Sequence, residues 1–132
     1  MKINKIDHIS IAVKDIQTFA KFFSELFGIE FGPEKEVPDQ RVNVSFGSFN
    51  GSKLELTSPT SSDSPISKFL EKKGDALHHI CLEVDNLEKC LEELKQKGVE
   101  PLGKISTGSY GEKIVFLDFK KTGGVLIELK EK

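Results

Sequence analysis

The stretch Ala76–Val84, ALHHICLEV, decides how this chain is read. It holds two of the three histidines, side by side at the head of an apolar alternation. Ile80, Leu82 and Val84 alternate with Cys81 and Glu83, which is the period of a strand. The third histidine, His8, opens HISIAV, where Ile9, Ile11 and Val13 alternate with Ser10 and Ala12. Laid together, the two stretches put His79 on His8, an offset of 71 residues (79 − 8). The segments after the two strands match as well. After the first, Asp15 offers an N-cap, Ile16, Phe19, Ala20, Phe23 and Phe27 recur at helical spacing, and Gly28 offers a stop. After the second, Asp85 and Asn86 are cap candidates, with Glu88 placed for a capping box from Asp85. Leu87, Cys90, Leu91 and Leu94 form the apolar stripe, and Gly98 ends it.

The second part of each copy reads as strand. RVNVSFGSF and GSKLELTSP stand in the first copy, KIVFLDF and GGVLIELKE in the second. Leu54-Glu55-Leu56 lies over Ile127-Glu128-Leu129, an offset of 73 (128 − 55). Each copy is therefore a strand, a helix, then further strands. Between them, SPTSSDSP is a turn-rich linker, and Pro65 starts a short helix that Gly74 ends. A unit of about 70 residues present twice is too long and too few for a solenoid. The pattern predicts an α+β fold within a single domain, 1–132. Two βαβββ modules, about 1–59 and about 75–132, flank a linker and bridging helix at about 60–74. They form a curved, cupped mixed β-sheet with helices on its convex side.

Bulk properties remove several classes of function. The chain has 132 residues, 37% hydrophobic and 30% charged, with a net charge of −2. No broad basic field exists for nucleic acid or an anionic membrane. The first residues, MKINKIDHIS, contain no long apolar run, so neither a secretion signal nor a membrane span is expected. Cys81 falls on a strand and Cys90 on a helix, so the cysteines read as reduced thiols and the setting as cytoplasmic.

Strand alternation then selects four polar residues. If the Ile, Leu and Val positions face the helices, His8 and His79 point to the opposite face. Leu54 and Leu56, and Ile127 and Leu129, send Glu55 and Glu128 the same way. A single strand histidine is most often structural, and a Glu between two leucines usually faces solvent. Recurrence of both types in both copies separates these four from that background. Two imidazoles and two carboxylates suit one divalent transition metal ion, and zinc, nickel, cobalt and manganese all tolerate such a donor set. His78 faces the other way and takes a packing role.

DHISIAVKDI, SPISKFLEKKGDALHHICLEVDNL and GGVLIELKE together resemble the vicinal oxygen chelate (glyoxalase/bleomycin resistance/dioxygenase) superfamily, and within it the methylmalonyl-CoA epimerases. The resemblance covers essentially the whole chain. It implies a metal held by His8, Glu55, His79 and Glu128, and an isomerase working by proton transfer through a metal-stabilised enolate. Glu128 is then the stronger candidate for a catalytic base, with Glu55 for the other face. It implies a small thioester or thiol-adduct substrate and a homodimer. Two departures stand out. The epimerase loop Gly-Ala-His-Gly is GSYG here, and a His-Pro-Lys is replaced by Asp118-Phe119-Lys120. Ser109, Tyr110 and Lys120 are the candidate substrate contacts. The rival enzyme reading is glyoxalase I (lactoylglutathione lyase), which bacterial members run with the same His, Glu, His, Glu set. The rival from another class is a small-molecule-binding resistance-type protein, whose relatives generally lack that set.

Overall fold

Asp15 shows how local chemistry starts each module. A computed structural model describes residues 1–132. Strand β1 (Lys5–Ala12) leads into helix α1 (Ile16–Phe27), and the Asp15 carboxylate accepts the Thr18 N–H at 3.2 Å. Gly28, at φ 69°, closes the helix by donating its N–H to the Ser24 carbonyl. Three strands follow, β2 (Lys35–Val37), β3 (Val42–Phe49) and β4 (Ser52–Pro59). Asn50 and Gly51 turn the β3–β4 hairpin, both at positive φ. Helix α2 (Pro65–Lys73) is the bridge, capped by Ser64. The second module repeats the order: β5 (Ala76–Val84), α3 (Leu87–Gln96), β6 (Ser106–Thr107), β7 (Lys113–Phe116) and β8 (Ile127–Glu131). The chain is thus α+β, with a βαβββ module on each side of the bridging helix.

The start of α3 differs from expectation. Asn86, not Asp85, is the N-cap, and its side-chain oxygen accepts the Lys89 N–H at 2.9 Å. Glu88 is then only the second helical residue, too early for a capping box. Asp85 accepts instead from the Asn4 side-chain amide at 2.9 Å.

The strands form a mixed sheet in the order β2-β3-β4-β1-β5-β8-β7-β6. The chain divides into two compact units, Ile9–His78 and Met1–His8 with His79–Lys132. In the first, β3 pairs antiparallel with β2 and β4, with Phe46 opposite Glu55. Ile11, Val13, Ile16 and Leu56 pack with Phe19, Ala20 and Phe23 of α1. Ala12, between two of those residues, faces the other way. It packs with Val42, Val44 and the α2 residues Ile66 and Leu70. This unit therefore carries a helix on each face.

In the second unit β8 runs parallel to β5, with Cys81 opposite Glu128, and antiparallel to β7. Val84, Leu87, Cys90, Val115, Leu117 and Leu129 form its core, with Leu82, Leu91 and Leu94 against them. Each such aliphatic side chain contributes roughly 1.5–3 kcal/mol on burial. No helix is long and apolar enough to cross a membrane.

Candidate metal centre

Three of the four expected ligands come together in the unit formed by Met1–His8 and His79–Lys132. The reason is strand alternation. Leu82 and Val84 of β5, and Ile127 and Leu129 of β8, go into the core beneath α3. His79 and Glu128 therefore leave on the opposite face. His8 arrives there at the end of the N-terminal segment. The Nε2 atoms of both histidines converge on one carboxylate oxygen, Glu128 Oε1, from 3.3 Å for His8 and 3.8 Å for His79. The two rings meet edge to face, 5.5 Å between centroids. His79 is braced by the Phe116 ring at 5.1 Å, also edge-on.

All three side chains are buried, none more than 7% exposed. Burial alone pushes the Glu128 carboxyl up. A hydrogen bond from His8 and the positive charge of His79 and His8 outweigh it and hold the carboxyl below the usual carboxylate range. Glu128 thus stays ionised, as a metal ligand must. Two imidazole nitrogens and a carboxylate oxygen aimed at one buried point fit a divalent transition ion.

Glu55 lies in the other unit. It is 7% exposed in the middle of β4, between Leu54 and Leu56, which pack toward α1. Its side chain takes the opposite face, the one Phe46 shares across the register. His78 also belongs to that unit, and packs edge-on against Phe69 at 4.8 Å. The packing role expected for it is what it has.

Of the candidate substrate contacts, Ser109 and Tyr110 stand in the turn between β6 and β7, with Tyr110 exposed. The Glu112 carboxylate accepts the Tyr110 N–H at 3.0 Å. Gly108 leaves the room for this carboxylate, since a Cβ there would clash with Glu112 Oε1. Lys120 is exposed in the short 3-10 turn Phe119–Lys121, whose N-cap is Asp118. Asp118 accepts the Lys120 N–H at 3.0 Å, so it is a turn residue.

Asp7 stands outside the four residues that strand alternation selects. It is 2% exposed, and its Oδ2 lies 2.8 Å from His8 Nδ1. Its Oδ1 lies 3.1 Å from Lys130 Nζ. Lys130 stays protonated beyond its usual range. Burial opposes the charge, but the Asp7 carboxylate more than offsets this. Asp7 precedes His8 in DHISIAV, and strand alternation sends such neighbours to opposite faces, so the sequence carried no signal for this contact.

The fold and the buried His–Glu cluster define a class. The chain belongs to the Glyoxalase/Bleomycin resistance protein/Dioxygenase superfamily, whose profile matches residues 7–116. Within that class it is similar to methylmalonyl-CoA epimerases. It is 36% identical to the mitochondrial methylmalonyl-CoA epimerase of Homo sapiens, over 98% of this chain and 74% of that one. It is 35% identical to the ethylmalonyl-CoA/methylmalonyl-CoA epimerase of Cereibacter sphaeroides, over 98% of each. The methylmalonyl-CoA epimerase of Streptomyces coelicolor, solved with 2-nitronate-propionyl-CoA, superposes with a TM-score of 0.93. It shares 30% identity, over 99% of this chain and 96% of that one.

Proposed function

We propose that this chain is a divalent-metal-dependent isomerase that epimerises an α-substituted malonyl thioester, methylmalonyl-CoA in the first instance. The observation that carries the reading is the convergence of His8 and His79 Nε2 on buried Glu128 Oε1. The epimerases among its relatives supply the substrate class. His8, Glu55, His79 and Glu128 would hold the ion. Support for Glu55 is its burial in β4 and its place opposite Glu128 in the internal repeat.

A divalent ion at this place supplies Lewis-acid polarisation of neighbouring substrate oxygens, which makes the adjacent C–H acidic. The residues of the chain do the rest. Burial of His8, His79 and Glu128 strengthens the electrostatic interactions among them. One carboxylate, Glu128, takes the α-proton, and the C–H electron pair passes into the thioester as an enolate. A proton returned to the opposite face, by Glu55 in this reading, completes inversion with no net change in atoms. Ser109, Tyr110 and Lys120 are the proposed substrate contacts, at the turn and the 3-10 segment of the second module.

The test follows the proton. Methylmalonyl-CoA incubated in D2O with metal-loaded protein acquires deuterium at the α carbon. Glu128→Gln slows this by the ~10²–10⁴-fold that a general base supplies. Full exchange in that variant overturns the role of Glu128. No exchange in the native protein, together with thioester formation from the glutathione hemithioacetal of methylglyoxal, makes it a lactoylglutathione lyase instead.

A further inference from the structure

We propose that Asp7 is a positioning residue for this centre: its carboxylate, gripped by Lys130, fixes the His8 ring so that Nδ1 carries the proton and Nε2 faces Glu128. The inference rests on the metal reading of that cluster.

The two oxygens of Asp7 have separate tasks. Oδ1 is held by the Lys130 ammonium at 3.1 Å, with Lys5 Nζ at 3.9 Å. Oδ2 lies 2.8 Å from His8 Nδ1. An ionised carboxylate only accepts, so the imidazole nitrogen facing it must be the donor. An imidazole that ligates an ion is neutral, and with its proton on Nδ1 it offers the ion the lone pair of Nε2, the atom that lies 3.3 Å from Glu128 Oε1. Asp7 and Lys130 come from β1 and β8, so the strand that carries Glu128 also anchors the group that orients His8. An imidazole without such a partner divides its time between two tautomers and several ring orientations. Only one combination presents Nε2 to the ion.

Asp7, His8 and Cys81 also lie close enough to suggest a cation site of their own, with one ligand atom from each within 4.8 Å of the others. The Lys130 ammonium already supplies the positive charge at Asp7. A second divalent ion beside it would meet repulsion at short range. The orienting role fits these contacts and the second site does not.

The test measures zinc affinity by chelator competition on the full chain, with His8 observed by long-range 1H–15N NMR in the zinc-loaded protein. Loss of an outer-shell partner typically weakens metal binding by about 10–100-fold, and Asp7→Ala should do so. Asp7→Asn keeps one acceptor oxygen and should lose less. The His8 Nδ1–H signal, sheltered in the native protein, should broaden by solvent exchange in Asp7→Ala. If Asp7→Ala does not fold, the Asp7→Asn comparison decides by the same two readouts. Native zinc affinity in the variants, to within about twofold, overturns the role of Asp7 and leaves the metal centre standing. No zinc binding by the native chain overturns the centre and this inference together.

Discussion

Cys81 is completely buried, directly across the β5–β8 register from Glu128. Burial pushes its thiol up from the ordinary value of 9.0, and the Glu128 charge adds to this. Cys90 is raised as well, chiefly by burial. Neither thiol should react with Ellman's reagent at pH 8 in the folded chain, and both should react in urea. The linkage runs in one direction. Above pH 9 the unfolded chain loses these protons first, so it binds fewer than the folded chain and stability falls. Urea melts at pH 8 and pH 10 should show a steeper loss for the native chain than for Cys81→Ala; equal slopes would refute the burial argument. That Cys81 shares a face with His79 could be inferred from alternation, though its place beside Glu128 depends on the β5–β8 pairing. The Asp7 contact could not be inferred. Adjacent strand residues normally point to opposite faces, so periodicity gave no reason to pair Asp7 with the His8 ring beside it.

At the scale of elements, the helices were legible because their apolar stripes and stops agree. Ile16, Phe19, Ala20 and Phe23 lie on one side of α1, and Gly28 takes the left-handed conformation that ends it. The short strands β2 and β6, three and two residues long, were not, because so few residues carry no period. Nor was the parallel pairing of β5 with β8, which depends on contacts distant in sequence. The start of α3 lay between. Two adjacent cap candidates were visible, and backbone geometry chose the second. Asn86 is extended at φ −138°, with its oxygen on the Lys89 N–H, and the Leu87 N–H is taken by the Glu131 carboxylate at 2.9 Å. Asn86→Ala should therefore destabilise the chain by about 1 kcal/mol in urea melts. Asp85→Ala removes only the exposed contact to Asn4 and should cost a few tenths of that (roughly 0.2–0.5 kcal/mol). The reverse order would restore the capping box.

For the molecule as a whole, the repeat is what ties sequence to chemistry, and the metal reading makes its own demand on stability. Residues 8, 79 and 128 are far apart in the chain and meet only when it folds. In the unfolded chain they offer an ion no common site. An ion they hold must therefore stabilise the folded state by mass action, by about 2.7 kcal/mol when it is present at 100 times its Kd. Zinc added to the metal-free chain should raise the melting temperature, and a chelator should reverse the rise. His79→Ala removes one donor and leaves a gap beside Phe116, so it melts lower from the outset. The zinc-induced shift, not the absolute temperature, is the relevant quantity. That shift should shrink to near zero in His79→Ala and persist in His78→Ala, whose ring packs on Phe69. An equal shift in the native chain and His79→Ala would mean that zinc binds elsewhere, and the pairing of His79 with His8 across the repeat would lose its chemical meaning.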